Sequence, residues 1–114
     1  MSSEISIKLV EITRNILSLL VSKDYEALEN ITKCNRLTAK DIQNCVKEYG
    51  KSIIEPPNEA YSKIDIVRIK GTMEYSVNMP LWTKEEGRSD LTILLSINLA
   101  KSYNTICIDD IHVL

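Results

Sequence analysis

The sequence predicts an α+β fold in which three N-terminal helices pack on one face of a four-stranded antiparallel meander sheet. In outline this arrangement is cystatin-like or nuclear-transport-factor-like (NTF2-like). Up to Gly50, apolar residues recur every three or four positions, which is the spacing of amphipathic helices. From Met73 to Leu81 and again from Leu91 to Leu99 they alternate with mostly polar residues, which is typical of strands with one buried face. Pro56-Pro57 separates the two patterns and excludes a helix there.

A chain of 114 residues is long enough to bury the core of one domain. We predict a single domain over 1–114, with a helical half at 1–50, a connector at 51–60 and an antiparallel sheet at 61–114. The apolar stretch from Ile16 to Val21 is too short to cross a bilayer. We therefore expect no export signal, no membrane anchor and a cytoplasmic location.

Start and stop signals place the shorter helices. Asp24 should begin the second helix, and Thr38 with Asp41 resembles a capping box at the start of the third. Gly50 is the expected end of that helix, because the residue after a helix often needs positive φ.

The positions of the strands are predicted from the alternation of apolar and polar residues and from one turn. A first strand from about Tyr61 to Lys70 should meet the second through a type II′ turn at Gly71-Thr72, which places Ile66 opposite Val77. The last strand, near 105–113, changes its alternation at Asp109-Asp110, which predicts a β-bulge. The face away from the helices should be polar but not strongly charged. It should carry Glu74, Ser76, Asn78, Thr92, Leu94, Ser96 and Asn98.

The densest polar segment joins the second and third predicted strands. It is too long for a tight hairpin, and Thr83 with Glu86 suggests a single helical turn that ends at Gly87. One interpretation is a surface offered to a partner, beside the only tryptophan, a residue type enriched at binding hot spots. The other is local, with Arg88 paired to a nearby carboxylate while the tryptophan covers the end of the core. The candidate residues are Trp82, Glu85, Glu86, Arg88 and Asp90.

Asp109, Asp110 and His112 form a second candidate cluster. A carboxylate beside a histidine could be an acid/base pair or part of a metal site. In a regular strand, however, Asp110 and His112 share one face and Asp109 points away, and no third ligand is evident. We therefore predict no catalytic residue and no metal site, and we assign the three residues a structural or partner-binding role.

Composition excludes several functional classes. A net charge of −2 without a basic stripe argues against direct binding of nucleic acid. Cys34, Cys45 and Cys107 are an odd number of thiols with no CxxC pair, which favours reduced cysteines over disulfides or zinc. Phosphate-binding and hydrolase motifs are missing from the sequence. We expect no cofactor and no enzymatic activity.

Two segments resemble a family of small bacterial domains of unknown function: LWTKEEGRSDLT at 81–92 and DDIHVL at 109–114. The Tyr49-Gly50 and Pro56-Pro57 positions are similar as well, so the resemblance covers roughly the last two-thirds of the chain. Such domains resemble immunity proteins of contact-dependent growth inhibition and other polymorphic toxin systems. The resemblance implies a cytosolic inhibitor that binds one toxin domain, possibly a nuclease. We expect the chain to be a monomer or a weak homodimer, and a homodimer through the exposed face of the sheet is a third possibility. The alternative is a small ligand-binding domain or enzyme of cystatin-like or NTF2-like fold.

Overall fold

The computed structural model describes residues 3–32, 37–100 and 105–114. The helices are α1 (Ser3–Val21), α2 (Tyr25–Ile31) and α3 (Ala39–Tyr49), and a 3-10 helix spans Asn58–Lys63. The strands are β1 (Ile53–Ile54), β2 (Asp65–Arg68), β3 (Glu74–Thr83), β4 (Gly87–Asn98) and β5 (Thr105–Val113). The predicted order of helices followed by an antiparallel sheet is confirmed.

The predicted caps of the shorter helices are present. The Ala27 N–H donates to the Asp24 carboxylate at the start of α2 (3.2 Å). At the start of α3 the Asp41 N–H donates to Thr38 Oγ1 (3.1 Å), and the Thr38 N–H donates back to the Asp41 carboxylate (3.0 Å). The hydrogen bonds from Thr38 lower the pKa of Asp41. Gly50 ends α3 with φ of 76°.

The sheet has five strands rather than the four predicted, because part of the connector joins it. Strands β2 to β5 form an antiparallel meander, and β1 pairs with the far end of β3 on the same edge as β2. The connector predicted over 51–60 therefore contributes β1 and half of the 3-10 helix. That helix also shortens the first predicted strand, since the buried Tyr61 belongs to it and not to a strand.

The register of the β2–β3 hairpin is as predicted, with Ile66 opposite Val77. Its turn lies one residue earlier than predicted. The Thr72 N–H donates to the Ile69 carbonyl (3.1 Å), so Gly71 is the third residue of the turn, where its φ of 77° is needed.

One face of the sheet forms the core with the helices. Alternate residues of β3 and β4 are almost fully buried against one stripe of α1 and single residues of α2 and α3. They include Leu9, Ile16, Leu20, Leu28, Ile42, Val77, Met79, Ile93 and Leu95. The opposite face of β2 to β5, called the outer face below, turns away from this core. No helix in the described part of the chain is long and apolar enough to cross a membrane.

Candidate functional site

The hairpin between β3 and β4 is tight, contrary to the long loop predicted from Trp82 to Asp90. Thr83 pairs with Gly87, so only 84–86 lie outside the strands. Arg88 and Asp90 belong to the start of β4, where the outward positions are polar, and this made the segment look like a loop. Thr83 and Glu86 still contact each other as expected, because the Glu86 N–H donates to Thr83 Oγ1 (3.0 Å).

Both glutamates of this hairpin accept hydrogen bonds from other parts of the chain. Glu85 accepts from the N–H and hydroxyl of Ser52, at 2.9 and 3.2 Å. The Ser52 N–H is the main cause that lowers the pKa of Glu85. Glu86 accepts from the Tyr49 hydroxyl at 2.8 Å and from Thr83 Oγ1 at 3.1 Å. The pair therefore fastens the hairpin to the connector and to the end of α3.

Trp82 and Arg88 face each other across the hairpin on the outer face. The half-buried indole lies over Gly87, where an added Cβ would stand 3.7 Å from its ring. Arg88 is exposed, and it forms no hydrogen bond or ion pair with the residues that the structure describes. The predicted pairing of Arg88 with a local carboxylate is thus not seen within 3–32, 37–100 and 105–114.

Asp90 is exposed beside an irregular stretch of β4. The register with β3 shifts between Pro80 and Trp82, and the buried Ser89 hydroxyl donates to the Leu81 carbonyl there (2.8 Å). The Asp90 carboxylate points to the outer face, away from this contact, and is open to solvent.

The predicted bulge at Asp109-Asp110 is confirmed. Leu94 pairs with Asp110 and Leu95 with Ile108, so Asp109 is the extra residue. Asp109 was expected to point away from Asp110, which is wrong, because the bulge turns it to the outer face. There its carboxylate accepts a hydrogen bond from the Ser96 hydroxyl.

Asp110 and His112 share the outer face, as expected. A carboxylate oxygen of Asp110 lies 3.2 Å from His112 Nδ1, and the side chains are 55% and 36% exposed respectively. His112 Nδ1 itself is shielded from solvent and makes no hydrogen bond. Asp110 is therefore the carboxylate of this cluster that is most open to a partner.

Taken together, the outer face is acidic. Arg88 is the one lysine or arginine on the outward positions of β2 to β5 within the described residues. Five carboxylates share those positions: Asp65, Glu74, Asp90, Asp109 and Asp110. We call this set the acidic face. The expectation of a weakly charged face was wrong, since it left out Asp65, Asp90 and the two aspartates of the bulge.

The described residues offer no group of three or more metal-ligating side chains. Cys45 and Cys107 are free thiols, and Cys34 lies outside the described residues. Burial, and then the carboxylates of Asp110 and Glu48, raise the pKa of Cys45, which keeps this thiol protonated and weakly nucleophilic.

Sequence reasoning missed one further feature, a cleft of about 300 Å³ between the 3-10 helix and the edge of β3. It contains Trp82 and Arg88, which were singled out, and Lys63 and Pro80, which were not. A lysine in a 3-10 helix has no periodic signal, so only the tertiary structure brings it to this place.

Comparison with known proteins identifies a family. A model of the family described as "Domain of unknown function (DUF7668)" matches residues 17–114, well over half of the chain. No curated protein and no solved structure matches the chain.

Proposed function

We propose that this chain, which belongs to the DUF7668 family of domains of unknown function, is an immunity protein that binds and neutralises a cognate bacterial toxin domain in the cytosol. The resemblance of the LWTKEEGRSDLT and DDIHVL segments suggests this function. One structural observation supports it, the acidic face on the side of the sheet that the helices leave uncovered.

An acidic face suits a basic partner. Complementary charge speeds the encounter of two proteins and excludes partners of like charge. If the toxin is a nuclease, its own surface for nucleic acid is basic. Carboxylates such as Asp90 and Asp110 would then occupy the place of the phosphates. Trp82, at one end of the face, supplies an apolar anchor beside the charges.

The same charge opposes self-association. Two copies that met through this face about a two-fold axis would bring like charges together. We therefore propose a monomer or a weak homodimer, which light scattering at micromolar concentration distinguishes from a stable dimer.

The alternative, an enzyme or ligand-binding domain of cystatin-like or NTF2-like type, would hold its ligand between helices and sheet. Here that space is filled by side chains such as Leu9, Ile16 and Ile93, each with no exposed surface. The Asp110–His112 pair lies on the opposite side of the sheet, where Asp110 is exposed and His112 is half-buried. Both observations count against a pocket of that kind.

Co-expression with the toxin domain encoded just upstream tests the proposal. We expect the two proteins to copurify and the producing cells to survive. Asp90→Asn with Asp110→Asn should weaken both effects, whereas Glu11→Gln with Glu26→Gln, which removes the same charge from exposed helix positions, should not. Absence of both copurification and protection with the unmodified chain would overturn the proposal.

A further inference from the structure

The edge of β3 is interrupted between its two partner strands. β2 pairs with Tyr75–Asn78 and β1 pairs with Trp82, which leaves Met79–Leu81 without a strand on this edge among the described residues. Pro80 lies in the interruption and has no N–H to donate to a ladder. The 3-10 helix Asn58–Lys63 passes over this gap, and the cleft of about 300 Å³ lies beneath it.

The walls of the cleft combine flat apolar surfaces with cations. Trp82, Pro57 and Pro80 supply rings, and the side chains of Lys63 and Arg88 supply positive charge. Neither cation forms an ion pair or a hydrogen bond with the described residues. One carboxylate, that of Glu59, also lines the cleft, so its net charge is positive in a chain of net charge −2.

Both walls are held in place by contacts outside the cleft. On one side Arg14 on α1 donates to the Asn58 side chain (3.1 Å), and its guanidinium lies 4.2 Å from the centre of the Tyr61 ring. On the other side the Trp82 indole rests on Gly87. A ligand therefore meets a preformed shape and binds without having to order the walls.

We propose that this cleft binds a small aromatic carboxylate. The ring lies between the indole of Trp82 and the prolines, and the carboxylate accepts hydrogen bonds from Lys63 and Arg88. The cleft volume lies at the lower end of the range of small-molecule sites, about 300–1,000 Å³, which favours a single ring. This inference does not depend on a toxin, because benzoate binding is measured with the chain alone, although Trp82 belongs both to the cleft and to the proposed toxin-binding face.

The single tryptophan makes a direct test possible, because its fluorescence and its indole N–H resonance both report on the cleft. The full chain is titrated at constant ionic strength with benzoate, with benzyl alcohol, which keeps the ring, and with acetate, which keeps the charge. We expect a saturable change with benzoate and binding at least about tenfold weaker for the other two. Benzyl alcohol loses the charge-assisted hydrogen bonds, and acetate loses the apolar contacts of the ring, and each loss costs at least about that factor.

Variants show whether the two cations act on the ligand. Arg88→Gln and Lys63→Gln should each weaken benzoate binding about tenfold, while their melting temperatures stay at that of the unmodified chain. Lys84→Gln removes the same charge from the exposed hairpin tip and should change nothing. Asp110→Lys should also leave the affinity for benzoate unchanged. No saturable response to benzoate, equal binding of benzyl alcohol, or an equal loss in Lys84→Gln would each overturn the proposal.

Discussion

Two pairs of adjacent acidic residues lie in different parts of the sheet and make different contacts. Glu85 and Glu86 form the tip of the β3–β4 hairpin, where both carboxylates accept hydrogen bonds from distant segments. Asp109 and Asp110 form the bulge of β5, where one carboxylate accepts from Ser96 and the other is 55% exposed. Two adjacent carboxylates therefore stabilise the fold in one place and leave one carboxylate exposed in the other.

The difference arises from what lies opposite each pair. The hairpin tip meets the connector and the end of α3, which provide the Ser52 N–H and the Tyr49 hydroxyl. The bulge lies on an edge strand, where the extra residue turns both carboxylates to the outer face. We expect changes at the hairpin pair to lower stability, and changes at Asp110 to lower affinity for the toxin domain.

The largest effect should come from reversing the exposed charge of the bulge. Asp110→Lys should weaken binding of the toxin domain at least about thirtyfold, or about 2 kcal/mol, because a basic partner then meets a lysine. Titration calorimetry with the purified toxin domain measures this. Glu11→Lys, with the same change of charge on α1, should bind as the unmodified chain does. Equal affinities of the two variants would contradict the assignment of the acidic face.

The next largest effect should be a loss of stability when Glu86 of the Glu85–Glu86 pair is replaced. Glu86→Ala should lower the free energy of unfolding by about 1–2 kcal/mol, because the Tyr49 and Thr83 hydroxyls lose their common acceptor. Urea unfolding measures the change. A double-mutant cycle with Tyr49→Phe should show that the two changes are not additive. Additive changes would mean that the Tyr49–Glu86 contact contributes nothing to stability.

A slightly smaller loss should follow a change in the backbone of that hairpin. Gly87 has φ of 73°, and Gly87→Ala should cost about 1 kcal/mol because an L side chain disfavours that conformation. The added methyl would stand at ordinary contact distance from Trp82, so no clash adds to the cost. Thermal unfolding should show the loss, with the affinity for the toxin domain unchanged. A matching loss of affinity would mean that the hairpin shape, and not only the bulge, is needed for binding.

Local pattern was enough to predict the features that depend on neighbouring residues. The Thr38–Asp41 capping box, the end of α3 at Gly50 and the bulge at Asp109-Asp110 are each visible within a few positions of the sequence. The pairing of Ile66 with Val77 followed from the position of the turn, although the turn itself closes one residue earlier than predicted.

Features that depend on distant segments could not be predicted. Glu85 accepts a hydrogen bond from Ser52, 33 positions away, and Glu86 accepts one from Tyr49, 37 positions away. No local sequence pattern therefore distinguishes these two glutamates from charges that are exposed to solvent. The strand Ile53–Ile54 is too short to show an alternation of apolar and polar residues. It forms by pairing with the edge of β3 at Trp82 and Thr83. The cleft likewise depends on how β1 and β2 share that edge.

The smallest expected effect is a dependence on pH of the stability that Glu85 contributes. The hydrogen bond from the Ser52 N–H lowers the pKa of Glu85 below its ordinary value of 4.5, so the fold favours the ionised carboxylate. Its contribution to stability is present in full above the unfolded-state pKa and is lost as pH falls through the lower folded-state value.

Urea unfolding of the unmodified chain and of Glu85→Gln should therefore differ more at neutral pH than in acid below the folded-state pKa of Glu85, where both side chains are uncharged. Glu11→Gln on the exposed face of α1 serves as the matched control and should show no such dependence. A Glu85→Gln difference that stays constant from neutral to acidic pH would mean that Ser52 holds the side chain without favouring its charge. In that case Glu85 would stabilise the fold as a hydrogen-bond acceptor regardless of its charge, and its contrast with the charged bulge would be greater.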